Sequence, residues 1–282
     1  IVRFHQQREL TPKNIITDIL RIVGSSGLSN KVMLEVGALF GCKQNAMRVA
    51  TSRLTSSATI EKTPHTDTNK KVINHYRLSA ATDPLTLFIE EWRLGKKRCK
   101  PWKPGHWLLC HLSKNPNRTE RAQSLRALSL LGFRQGPDKL WIRPDNLKKT
   151  FTHIDQQLQQ FGLEASATLM TVSQLQEGIN EQWQTLWANT ENRQSYRQNY
   201  VKITANLISS QAMLKSLAPI DAMTESFRLG GSVIDLLIKD PLLPEQIESP
   251  EAHESLCRAM GEYDNIARVI WQQRINAIVR SA

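Results

Sequence analysis

The stretch from Gly41 to Leu54 restricts the possible folds more than any other in this 282-residue chain. At helical spacing Ala46, Met47, Ala50 and Leu54 share an apolar stripe, while Lys43, Gln44, Asn45, Arg48, Ser52 and Arg53 take the remaining surface. Upstream, Ser29-Asn30 caps a second helix running to Phe40, and Gly41 supplies the tight turn between the two. Before that, Thr11 and Pro12 open a helix whose Ile15, Ile16, Ile19, Leu20, Ile22 and Val23 form an apolar stripe and whose end is marked by Gly24-Ser25-Ser26-Gly27. Downstream, Thr59–Lys62 reads as a strand, residues 63–69 as a polar loop, and Lys70–Leu78 as a second, alternating strand. Three helices followed by a hairpin form the layout of a winged helix-turn-helix, with the first helix packed beneath the other two.

The outer face of the 43–54 helix carries the side chains that read duplex DNA. Gln44 and Asn45 can pair bidentately with adenine, and Arg48 with guanine; Ser52, Arg53 and Lys43 can position the helix on the backbone. Lys70 and Lys71, at the hairpin tip, can clamp phosphate. The expectation is a homodimer on double-stranded operator DNA, one such helix per major groove, with half-sites about ten base pairs or a multiple of that apart. The plainer alternative is a solvated helix face.

Charge is distributed accordingly. The net charge is +11, with +7 in residues 1–82, +8 in 83–162 and −4 in 163–282. A polyanionic partner suits the first two thirds, and an acidic helical third suits dimerisation or ligand sensing. Cys42, Cys99, Cys110 and Cys257 form no C-x-x-C pair, which argues against zinc and a disulfide framework and for a reducing compartment. No apolar run reaches the ~18–20 residues that span a bilayer, so the chain is expected to be cytoplasmic, without a membrane partner.

Residues 83–104 read as a helix and a basic linker. Within it, Gly95–Gly105 either follows DNA phosphate, meets the phosphates of a nucleotide-containing ligand, or is a plain solvated connection anchored by Trp102. Residues 105–172 then run strand (106–112), helix (119–131), two strands (133–134 and 140–143), helix (145–161) and strand (167–172), the order of a split βαβ, ferredoxin-like domain. Residues 173–282 are helical runs at 175–187, 196–214, 222–238 and 252–279, with breaks at Pro219, Gly230-Gly231, Pro241, Pro244 and Pro250. The predicted class is α+β, mostly helical: a winged helix-turn-helix over 1–82, a ferredoxin-like middle and a helical C-terminal domain.

Catalytic chemistry finds little footing, and an enzyme is not expected. A nuclease built on a ferredoxin-like domain needs an acidic metal ligand at the end of its first strand, where this chain has Leu112-Ser113-Lys114-Asn115. The seven histidines make no H-E-x-x-H or triad spacing, and no G-x-S-x-G elbow is present. No cofactor and no metal follow from these residues, and Trp183, Trp187 and Trp271 read as core.

Three stretches resemble the PaaX-type transcriptional repressors, which control phenylacetate degradation genes. The first is Met47-Arg48-x-Ala50-x-x-Arg53-Leu54 with His75-Tyr76-Arg77-Leu78-Ser79; the second, Gly105–Leu109 with Leu131-Gly132-Phe133 and Leu140–Pro144; the third, Lys239–Glu245 with Leu256-Cys257. The resemblance implies a dimeric repressor of a catabolic operon, released by an aryl-CoA such as phenylacetyl-CoA or by another acyl-CoA bound between the middle and C-terminal domains. This chain departs from the family at the wing turn, where Asn69-Lys70-Lys71 replaces Gly-Arg-Arg, and at Gly231–Asp235, where the family tends to have an aromatic with arginines. A different effector could follow. A DNA-binding architectural or defence-associated protein without an effector is the competing class.

Overall fold

The computed structural model describes residues 9–66, 72–79, 84–112, 117–187 and 190–281. The described residues form a mostly helical α+β protein with two small antiparallel sheets and a helical C-terminal region. They fall into two compact units: residues 1–86, 206–233 and 259–282, and residues 87–205 with 234–258. The stretch read as one C-terminal helical domain is thus divided between them.

In the first unit, α1 (Pro12–Val23) is capped by the Thr11 hydroxyl and α2 (Asn30–Leu39) by that of Ser29, each accepting from the backbone N–H three residues on at 3.3 Å. Ile15, Ile16, Ile19 and Leu20 of α1 are fully buried, worth about 1.5–3 kcal/mol apiece. They lie in one core with Val32, Met33 and Val36 of α2, and with Met47 and Leu54 of α3 (Gln44–Ser56). Helices α9 (Pro219–Ile238) and α10 (Glu251–Ser281) complete that core through Met223, Phe227, Trp271, Ile275 and Ile278.

Strand β1 (Leu28–Ser29) pairs with β3 (Val72–Leu78), and β3 with β2 (Ile60–Thr66). The loop expected at residue 63 begins later, because β2 continues to Thr66 opposite Val72. Pro64 is tolerated because β2 is an edge strand, where a missing N–H breaks no interior ladder.

The second unit holds a sheet ordered β5-β6-β4-β7, antiparallel throughout, from β4 (Trp107–His111), β5 (Arg134–Gln135), β6 (Trp141–Pro144) and β7 (Thr168–Val172). Helix α5 (Arg118–Leu130) follows β4 and starts at an Asn117/Glu120 capping box; α6 (Phe151–Gln160) follows β6. The expected helix start at Asp145 moves to Phe151. Residues 146–148 instead pair their backbone with 98–100, through Lys100 N–H to Asn146 C=O and Lys148 N–H to Arg98 C=O, both at 2.8 Å. Helix α4 (Pro84–Glu90) precedes that segment. Beyond the sheet, α7 (Ile179–Gln184) and a single turn to Trp187 replace the expected run over 175–187. Helix α8 (Thr190–Leu214) follows. Nor do Gly230 and Gly231 break α9, since both are buried within it.

The basic linker is built into this unit. Lys96 Nζ donates to the Leu243 carbonyl, Arg98 meets Glu91 at 3.2 Å and Lys100 meets Asp145 at 3.0 Å. Trp102 lies edge-on to Trp107, in a cluster with Trp183 and Trp187. Trp102 thus anchors the connection, while Lys97 and Lys103 stay exposed.

The Asp240–Pro244 segment is gripped by buried polar groups. Arg143, 2% exposed, donates to the carbonyls of Leu131 and Pro144 and to Asn146 Oδ1, and Asn146 Nδ2 donates to the Leu242 carbonyl at 2.6 Å. Asp240 accepts from Tyr200 Oη at 2.6 Å and from the Leu242 N–H at 2.7 Å. These bonds hold Leu242 at a φ of +53°, a conformation side chains rarely adopt.

His253 sits nearby, with Cys257 Sγ 3.6 Å from its Nε2. Burial lowers the His253 pKa; Asp240 and Glu254 oppose the shift, and Lys96 and Arg98 reinforce it. The unfolded chain therefore takes up this proton near pH 6.5 and the folded chain only at lower pH. Stability should fall as pH drops below about 6.5, by up to about 1.4 kcal/mol per pH unit. Urea midpoints between about pH 5 and 7 measure this, and in a His253→Leu protein that part of the slope should vanish. Burial pushes the Cys257 thiol up to about 12, so it stays protonated and is no nucleophile at neutral pH.

Candidate nucleic-acid interface

Helix α3 follows Phe40, which ends α2, and Gly41, whose φ of +74° makes the turn. One narrow face of α3 is buried: Met47, Thr51 and Leu54, at i, i+4 and i+7. The predicted stripe is therefore shifted. Ala46 is exposed, and Thr51 takes an inward position because its hydroxyl donates back to the Met47 carbonyl at 2.9 Å. Helices α2 and α3 cross closely, for a Cβ on Gly37 would lie 2.6 Å from Met47 Cε.

Lys43, Gln44, Asn45, Arg48, Ser52 and Arg53 are all exposed. Their helix is held from behind, leaving their donors and acceptors directed at solvent. Lys70 and Lys71 lie outside the described residues.

A cleft of about 410 Å³ opens beside this face. Arg48, Ser52, Thr55 and Ser56 of α3 form one wall, with Asn30 at the start of α2, Lys62 of β2 and Tyr76 of β3 around the rest. Among the described residues that line it are two cations and no carboxylate. Lys62 and Tyr76 are directly paired across the strands, with Nζ 5.9 Å from the ring centre. The neighbouring pair, Glu61 and Arg77, neutralises itself at 2.8 Å. Asn30, Lys62 and Tyr76 were missing from the sequence-derived set. The one available signal was Lys62 alternating with Glu61 along β2, and it acquires meaning only from the strand register. Chemically the cleft can accept an anionic oxygen from several donors at once.

Among the described residues, no group of three or more His, Cys, Asp or Glu side chains could hold a metal ion, and no helix is long and apolar enough to cross a membrane.

The fold and this surface define a mostly helical α+β protein that presents a polar, cationic helix face beside an antiparallel hairpin. No protein-family model matches the chain, and no curated protein matches it in sequence. Among solved structures it is similar to the uncharacterized protein Rv0674 from Mycobacterium tuberculosis, with a TM-score of 0.61 and 18% identity over 96% of this chain and 99% of that one. At that identity the likeness is one of fold.

Proposed function

We propose that this chain is a sequence-specific DNA-binding transcriptional regulator of the PaaX type. In this reading α1–α3 with β1–β3 are a winged helix-turn-helix, and β4–β7 with α5 and α6 a ferredoxin-like domain. The protein acts as a cytoplasmic dimeric repressor of a catabolic operon and leaves its operator when an aryl-CoA or other acyl-CoA binds. The observation that carries the reading is the exposed polar face of α3. A helix backed by a core on one side and offering Gln44, Asn45 and Arg48 on the other suits the major groove. The cleft with Lys62 suits an adjacent phosphate, as does the charge of Lys70 and Lys71 at the wing.

Selection of bound duplex from a random pool, with and without phenylacetyl-CoA, tests the proposal. A two-fold-symmetric site that is lost on adding the thioester supports it; a chain that enriches no sequence at low salt sinks it. Lys62→Ala should weaken binding to all sequences alike and lower the salt-dependence slope by about one; Lys70→Ala with Lys71→Ala should lower it by about two. A loss confined to one sequence would remove these lysines from phosphate contact.

A further inference from the structure

A groove of about 780 Å³ lies in the first unit, between the end of α8, the start of α9 and one face of α10. Its size is that of a small-molecule site. The floor is apolar, formed by Leu214, Pro219, Ala222, Val269 and Ile270. Among the described residues, two cations line it, Lys215 and Arg274, and no carboxylate does. Arg274 Nε is shielded from solvent without a hydrogen-bond partner, and a donor left in that state loses free energy until an acceptor reaches it.

The groove lies one helix face away from the core behind α3. Ile270 belongs to both, lining the groove and packing against that core. Its neighbour Trp271 stacks on Phe40 at 5.3 Å and donates from Nε1 to Ser226 Oγ at 3.0 Å. Phe40 is the residue before the Gly41 turn into α3.

We infer that this groove binds a small amphipathic anion, a medium-chain acyl or aryl body with one anionic head, and that occupancy is transmitted through α10 and Phe40 to the α2–α3 turn. The apolar body covers Val269 and Ile270, and the head accepts from Arg274 and Lys215. Drawing Arg274 toward a ligand moves the turn of α10 that carries Trp271, and so the surface on which Phe40 rests. The effect on DNA rests on the proposed reading of α3; the binding itself does not.

Calorimetric titration of the full chain with octanoate and with octyl phosphate, against octanol and octylamine, tests the site and separates a carboxylate head from a phosphate one. At least one anion should bind, about tenfold or more tighter than octanol, and octylamine should not compete. Arg274→Gln should remove that advantage while leaving octanol unchanged. Val269→Asp, at a residue 56% exposed, should abolish anion binding without lowering the melting temperature. Anions that bind no better than octanol, or that bind both variants like the parent, overturn the site. At a saturating concentration of the bound anion, affinity for the selected duplex should change about fivefold or more. Anion binding with unchanged DNA affinity overturns the transmission. A chain that binds no duplex at all counts against the proposed function, while the titration still decides the site.

Discussion

Arg48→Ala is expected to lose on the order of 1–3 kcal/mol of specific DNA binding, about five- to a hundredfold in affinity, and to relax the preference at one base position. Arg48 is the cation that belongs, with Ser52, both to the exposed face of α3 and to the cleft shared with Lys62 and Tyr76. Its guanidinium can thus span from a base edge to the neighbouring phosphate, reach that alanine removes entirely. Folding should be nearly untouched, because substitutions at exposed positions without a special role change stability by about 0.5 kcal/mol or less. Competition binding with the selected duplex and its single-base variants, paired with a urea titration, separates the two effects. An equal loss on every sequence would make Arg48 a phosphate contact only.

Arg143→Ala is expected to remove on the order of 3–5 kcal/mol of stability, a large share of what a domain possesses. Burial pulls the pKa of this guanidinium down to about 10, so it remains charged at neutral pH. Among the described residues no carboxylate bonds to it; its fork is satisfied by the Leu131 and Pro144 carbonyls and Asn146 Oδ1. Alanine leaves a cavity and takes the donor from the Leu131 carbonyl and Asn146 Oδ1, while the Pro144 carbonyl keeps the Asn146 N–H at 3.0 Å; it also frees Asn146 from the bond that aims it at Leu242. Lysine should not rescue, since a point charge cannot serve three acceptors spread around a plane. The shift in urea midpoint measures the loss. A change below about 1 kcal/mol would show that water replaces the guanidinium at these acceptors.

How much was legible beforehand follows from the range of each interaction. Caps at Thr11 and Ser29 act over three residues, and so does the apolar spacing of α1; local sequence suffices for both. The exposed side chains of α3 were identified for the same reason, because a helix that turns one face inward must turn the other out. Misplacements arose where a particular hydrogen bond outweighed the apolar pattern. Residues 146–148 gave up a helical turn to bond with 98–100, and Thr51 took an inward position because its hydroxyl could bond to its own helix. The Asp240–Pro244 run, notable in sequence only as a motif, proves to be a structural anchor for Asn146, Lys96 and Tyr200.

By itself, then, the sequence determined the first three helices, the two strands of the hairpin and the cationic face between residues 43 and 53, all consequences of spacing and capping within a few residues. Tertiary structure alone decided which helices complete the core behind that face. Met223, Phe227, Trp271 and Ile275 stand roughly two hundred residues or more from the α1–α3 side chains they cover, and nothing in their local pattern distinguishes that surface from another. It likewise decided that Lys62 and Tyr76 stand beside Arg48, and that Arg274 has no acceptor for its Nε. Burial and hydrogen-bond satisfaction depend on what a residue meets across the fold, and periodicity carries no record of that meeting.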